Sequence, residues 1–302
     1  MRDIHQELTD KVIRAIETGM ASGAAWTKPW HSAATSGLPT NHATGCHYRG
    51  INVLQLWFAA AERGYRDGRW LTYKQAQAIG AQVRQGEKAT LVIKFGQFQR
   101  EDAATGETVT GQYLKTYSVF NVAQCDGVSL PDAERPNLAA RVEHAERALY
   151  GVGVPIHHGH SEAFYRPSTD SIHLPDREQF RPAGDATATE TYYSTAFHEV
   201  GHATGHASRL DRNLKARFGD ANYAAEELVA ELCAVFVMAE LGLAHEPKQN
   251  ATEYLAHWLG ILRTDSKALM VAAAKASAAA GFILASSETS REEPQEVMPL
   301  AA

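Results

Sequence analysis

The sequence predicts an α+β chain of two domains: a small α+β domain over residues 1–125, then a mainly helical domain with a small sheet over 141–287. A linker at 126–140 joins them and a disordered tail follows at 288–302. Three observations lead there. Two neighbouring strand-like runs lie in the first half, long apolar-periodic stretches fill the second, and the charge changes sign between them. Residues 1–125 carry 14 Lys and Arg against 10 Asp and Glu, and by difference from the totals of 29 and 35 the remainder carries 15 against 25. A basic part followed by an acidic part points to different partners for the two.

Ile4, Leu8, Val12, Ile13 and Ile16 recur at helical spacing and predict a helix over 3–20. A Gly-, Thr- and Pro-rich stretch from Gly23 to Gly50 reads as ordered loop. Helical periodicity resumes from Ile51 to Arg63, and Thr72 is placed to cap a short helix ending at Ile79. Thr90–Phe95 and Gln112–Asn121 are β-rich and pair across a Gly-containing turn near Thr105-Gly106. The aperiodic run after Cys125, with Pro131 and Pro136, is the expected linker. Beyond it, 139–150 reads helical, 163–165 and 171–174 read as short strands, and helices fill 190–285. From Glu288 the chain is acidic and Pro-containing, as disordered tails are.

Composition excludes several classes. With 44% hydrophobic and 21% charged residues, 23 Gly and 11 Pro, the chain is neither disordered nor collagen-like. No stretch approaches the roughly 18 apolar residues of a membrane span, and the polar start Met1-Arg2-Asp3 lacks a secretory pattern, so a cytoplasmic protein with no membrane partner is expected. Cys46, Cys125 and Cys233 are too scattered for a disulfide framework or a Cys-based metal site.

The most informative segment is His198-Glu199-Val200-Gly201-His202. On a helix, residues four apart share a face, so both imidazoles address one ion while Glu199 stands beside it as general base. Neutral imidazoles suit Zn2+ or another divalent metal, and this set hydrolyses peptide bonds. A catalytic site needs a third protein ligand. The metzincin pattern would place a histidine at 208, where this chain has Ser. The alternative is a glutamate from the next helix, the gluzincin-like arrangement. Glu227 is favoured for it and Glu226 competes, with Glu231 four residues on as the hydrogen-bond partner of a ligand histidine. A solvated helix face would also account for the three acids, but Leu228, Val229, Leu232, Val235 and Phe236 surround them, and an unpaired buried carboxylate is costly. His206, past the helix end, reads as a C-terminal cation.

The first half carries nine basic residues against three acids between Arg49 and Arg100, interleaved with aromatics. Single-stranded nucleic acid is held by this mixture, basic groups on phosphates and rings under bases. Aromatics also pack cores, so composition alone leaves the choice open.

The motifs resemble a known family. Trp26-Thr-Lys-Pro-Trp30, Asn41, Tyr48-Arg-Gly-Ile-Asn52, Trp70-Leu-Thr-Tyr-Lys-Gln75 and Gly80-Ala-Gln-Val-Arg-Gln-Gly-Glu-Lys88 look like the N-terminal domain of ArdC-type antirestriction proteins. Phe197–Arg212, Ala225–Leu232 and Tyr254–Leu259 resemble the zincin-like metallopeptidase domain of that family, found also in TraC-type primases and polyvalent phage proteins. The likeness spans about residues 5 to 285. It implies a protein of plasmids or phages that shields incoming DNA from host restriction, with a single-stranded-DNA-binding first domain and a metal-dependent second domain acting on an unidentified protein substrate. Trp26, Trp30, Tyr48, Arg49, Asn52, Trp70, Tyr73, Lys74, Arg84 and Lys88 are the expected DNA contacts. Ala203 departs from the pattern, in which a larger residue, often Trp, precedes the Thr-Gly pair. Two other classes stay open: a DNA-coating protein with a structural metal, and a peptidase effector that does not act on DNA.

Overall fold

The computed structural model describes residues 4–22, 37–101, 108–129, 137–212, 221–245 and 251–289. They divide into two compact units, one drawn from Leu38–Asp132 and the other from Ala133–Ala302 together with the N-terminal helix.

The first unit is built on a four-stranded sheet. Its strands are β1 (Thr40–Asn41), β2 (Arg69–Thr72), β4 (Thr90–Glu101) and β5 (Thr108–Asn121), in the order β1-β2-β5-β4. β1 and β2 are parallel and the other pairs antiparallel. The predicted hairpin is therefore present, longer than expected, and paired from Thr90↔Val119 to Glu101↔Thr108. Its turn lies outside the described residues. Side chains alternate across β2. Trp70 points to one cluster with Leu56 and Ala59 of helix α2 (Ile51–Arg63), Val92 and Val119. Leu71 points to the other, with Ala76, Ala81, Val83, Val122 and Cys125.

Local signals set the ends of these elements. Gly64, at φ 69°, takes the left-handed turn that stops α2. Thr72 caps helix α3 (Tyr73–Ala78) in a reciprocal capping box with Gln75. The Gln75 amide is also bonded to Asn41, which ties down the loop to Tyr48. Asp126, placed at the start of the linker by the lack of periodicity there, instead forms strand β6 with Cys125 (Cys125–Asp126), paired with β3 (Gln82–Val83).

In the second unit, helix α6 (Ala221–Glu240) is the centre, with every residue from Glu227 to Ala239 buried. Around it lie α4 (Leu138–Gly151), α5 (Ala188–Ala203), α7 (Ala251–Thr264) and α8 (Ala268–Thr289). A three-stranded sheet, β7 (Ile156–His157), β9 (Ser171–His173) and β8 (Phe164–Arg166) in that order, packs on α5 and leaves β8 at an edge. β7 pairs parallel with β9 and escaped the periodicity because it is two residues long.

Two expectations are corrected here. The N-terminal helix α1 (Ile4–Ser22), assigned from sequence to the first domain, belongs to the second unit: Leu8 and Val12 are buried, Thr9 Oγ1 donates to the Ser266 carbonyl at 3.0 Å, and Glu17 pairs with Arg263. Sequence shows that a helix is amphipathic, not which core takes its apolar face. Second, Ala268–Ser287 is long and apolar enough to cross a membrane by length and composition, with mean hydropathy 1.8. Lys275 interrupts this run, which the sequence reading passed over. Its Ala272, Ala273, Ala276, Ala279 and Ile283 are buried and this face packs against α4 and α6, while 39% of the apolar window as a whole is buried. α8 runs to Thr289, into the expected tail, the rest of which lies outside the described residues.

Candidate metal centre

The site is assembled by α5 and α6. Thr187 caps α5 in a second capping box with Glu190, whose other oxygen accepts from the Ala244 backbone at 2.9 Å. This fixes the start of α5 against the chain that leaves α6. Further along, Gly201 lets the helices approach: a Cβ there would lie 3.1 Å from Ala230 Cα. The glycine between the two histidines is thus a contact position as well as a spacer.

On α5, His198 and His202 stand one turn apart with ring centroids 4.8 Å apart and their Nε2 atoms 3.2 Å apart. Glu227 reaches over from α6, Oε2 lying 3.4 Å from His198 Nε2 and Oε1 3.5 Å from His202 Nε2. Two ligands each ~2.0–2.2 Å from a tetrahedral ion are about 3.3–3.5 Å apart, so the three separations fit one divalent cation. Glu199, on the same helix, is buried beside the pair.

The surroundings explain how those rings are held. Behind His198, Glu231 Oε2 lies 3.7 Å from Nδ1 while Oε1 lies 3.3 Å from His245 Nε2, and His245 Nδ1 meets Ser194 Oγ at 2.6 Å. Behind His202, Glu226 Oε1 lies 3.6 Å from Nδ1 and takes a forked bond from Arg212. Arg212 also donates to the Gly201 carbonyl at 2.6 Å and to Thr204 Oγ1 at 2.8 Å. Each imidazole therefore faces a carboxylate at its back, beyond hydrogen-bond distance here and with His198 Nδ1 buried without a hydrogen-bond partner; closed to a hydrogen bond, such pairs fix tautomer and ring orientation in metal sites.

So many buried carboxylates create a field that calls for positive charge. Burial pulls the His202 pKa down, but Glu227 and then Glu226 push it up to about 10. His198 is raised likewise, by Glu227 and Glu231 against burial. Burial raises the Glu227 carboxyl, yet the two histidines hold it well below the usual carboxylate range. Imidazolium answers this field in one protonation state; a divalent cation answers it with both rings neutral.

The sequence reading placed His198, His202, Glu227, Glu199 and Glu231 at one centre, and the structure brings them together. Glu226, the competing ligand, sits behind His202. Sequence reasoning missed Arg212, Ser194 and His245. Arg212 closes the charged run after the motif, a signal of sorts; His245 stands alone and had none. His206 was expected to serve the helix C-terminus, but Arg209 does so, its Nε donating to the Ala203 carbonyl at 2.7 Å, while His206 Nδ1 pairs with Ser208 Oγ. The histidines of 157–160, read as loop residues, partly join a second cluster in which His160 Nε2 lies 3.0 Å from His173 Nδ1.

In the first unit the expected DNA contacts divide. Trp26 and Trp30 lie outside the described residues. Arg49, Tyr73, Lys74, Arg84 and Lys88 are exposed, with Arg84 paired to Glu87 and Asp126. Tyr48 is half-buried against the core. Two are corrected: Trp70, 1% exposed, is core and has no ring face to offer, and the Asn52 amide is spent on both backbone groups of Ile93, at 2.8 Å each.

Comparison with known proteins supplies the context. Residues 143–275 match a family described as zincin-like metallopeptidase, and residues 2–120 match the N-terminal domain of anti-restriction factor ArdC. The chain is 41% identical to the uncharacterized protein y4eC of Sinorhizobium fredii (strain NBRC 101917 / NGR234), over 96% of this chain and 95% of that one. It is 42% identical to the DNA primase TraC of Escherichia coli over 94% of this chain, but spans only 27% of that longer protein. Among solved structures it is similar to the antirestriction ArdC protein from plasmid R388. The metal-free form has TM-score 0.76 and 37% identity, covering 95% of this chain and 99% of that one. The Mn(II)-bound form has TM-score 0.74 and 36% identity, covering 95% and 98%.

Proposed function

This chain belongs to the ArdC-type antirestriction family, and from that membership we propose that it binds single-stranded DNA and cuts a protein with a metal-dependent peptidase centre, protecting the DNA of a mobile element from host restriction. The convergence of His198, His202 and Glu227 beside Glu199 carries the peptidase reading. A divalent cation, Zn2+ or Mn2+, would be held by His198, His202 and Glu227 and would supply Lewis acidity toward a peptide carbonyl and water.

The chain's own groups do the rest. His198, His202 and Glu227 hold the ion, Glu231 and Glu226 orient the two rings, and Glu199 takes the proton from attacking water and returns it to the leaving amine. β8, at the edge of its sheet, is placed to take an extended peptide as an added strand. That a relative binds Mn(II) supports a divalent ion at the homologous place. A basic first domain favours a nucleic-acid partner, which would bring the peptidase to proteins on DNA.

Glu199→Gln tests the assignment. It should leave metal and DNA binding within about twofold and reduce cleavage of DNA-bound protein by at least ~100-fold. Unchanged cleavage by this variant removes Glu199 as the base; full protection of DNA by a variant that no longer cuts would mean the protein works by coating the strand.

A further inference from the structure

The β4–β5 ribbon carries exposed aromatic side chains that the core does not use. Its register places Val92↔Tyr117, Lys94↔Lys115, Gly96↔Tyr113 and Phe98↔Gly111 on one face. At the base that face is covered, since Val92 and Val119 pack on Leu56 and Ala59 of α2. The helix starts level with Ile93, where Asn52 is bonded to the strand. Beyond that level Tyr113 and Phe98 are exposed, 36% and 47%, and Tyr117, opposite Val92 at the edge of the covered base, is exposed as well, 40%.

Two details separate this face from idle surface. A Cβ at Gly96 would lie 2.3 Å from the Tyr113 ring, and one at Gly111 would lie 2.4 Å from the Phe98 ring. Each ring therefore lies across the glycine of the opposite strand, one face on backbone and the other outward, held in place before anything binds. Lys94 and Lys115, meanwhile, are directly opposite one another, an arrangement that destabilises a ribbon unless an anion lies between them. The Lys115 ammonium stands 5.9 Å from the Tyr113 ring centroid, and no carboxylate occurs on this face from 92 to 98 or from 111 to 117. Successive rows are about 7 Å apart. That is twice the ~3.4 Å rise of stacked DNA, and Tyr117 stands two rows from Tyr113, so bases seated on successive rings are parted from each other, as only an unpaired strand permits.

We propose that this ribbon face is where single-stranded DNA lies, with bases on Tyr117, Tyr113 and Phe98 and a phosphate between Lys94 and Lys115. The proposal rests on the single-strand-binding reading above and moves the contact to side chains that are not among the ten residues singled out from sequence.

The test is fluorescence anisotropy of labelled oligothymidine with the full chain, titrated over salt, beside a duplex of equal length. Phe98→Leu and Tyr113→Leu should each weaken single-strand binding about tenfold or more while Tyr113→Phe binds within about twofold, because the ring face and not its apolar bulk or hydroxyl holds the base. Lys94→Ala combined with Lys115→Ala should flatten the slope of log affinity against log salt by about 0.7, the amount for the one phosphate the two share. Far-UV circular dichroism and an unchanged melting temperature verify each fold. If the parent chain binds single strands and the leucine variants bind equally well, the ribbon assignment falls and the single-strand reading stands. Absence of salt-sensitive single-strand binding by the parent removes both, and equal affinity for duplex removes the stacking.

Discussion

Glu226 and Glu227 are neighbours in sequence with different tasks, and a 100° turn of the helix separates them. Glu227 faces both Nε2 atoms; Glu226 faces His202 Nδ1 and Arg212. Glu227→Ala should therefore reduce metal affinity by well over 100-fold, whereas Glu226→Gln and Glu231→Gln should cost about 10–100-fold each, read by competition with a chromogenic chelator. Equal losses for Glu226 and Glu227 would mean that both ligate. Protonation gives a second test. A histidine with a raised folded pKa stabilises the fold fully below its unfolded value of 6.5, and that contribution is lost as pH climbs through about 10. The metal-free protein should thus melt progressively lower from pH 6.5 to 10, and metal affinity should rise over the same interval as the proton is displaced. Glu227→Gln, which removes the main attracting charge, should flatten both trends. At this scale the ligand pair was legible because helical spacing alone fixes it. The choice of glutamate was not, since it depends on how α6 is rotated against α5. Trp70 was misread because charged neighbours surround it while strand alternation turns its ring inward.

Helix contacts extend the same logic. Gly201 sits where α5 meets Ala230 of α6, and the neighbour that a methyl would strike is backbone, which cannot swing aside. Gly201→Ala should push the helices apart, cost ~1–3 kcal/mol in stability and weaken metal binding by widening the gap between Glu227 and the imidazoles. Calorimetry with and without metal reads both; an alanine variant that melts and loads like the parent would show that the helices have slack. Elements with a strong period, α1, α2 and the hairpin, were legible in outline. β7 and β6 were not, because two residues carry no period and exist only through their partners β9 and β3.

Over the whole molecule, the charge changes sign near residue 125 and the compact units divide after Asp132, yet the division is not a single cut. Because α1 packs with α7, removing residues 1–22 should destabilise the second unit while the first keeps its protection. Loss of the burial of Leu8 and Val12 alone is worth about 3 kcal/mol or more. Hydrogen exchange should quicken around Trp258 and Leu262 and stay unchanged through β2 and β5; the reverse pattern would return α1 to the first unit.

The contact between α1 and α7 also orders events during synthesis. Thr9 meets Ser266 and Glu17 meets Arg263, pairs separated by 257 and 246 residues. At ~5–20 residues per second the ribosome takes roughly 12–50 s to produce the partners that cover Leu8 and Val12. The first unit lies wholly inside that interval and can close while the helix made before it still waits. A chain cut short before α7 leaves an apolar helix uncovered near its N-terminus, a mark by which chaperones and proteases tell an unfinished copy from a complete one.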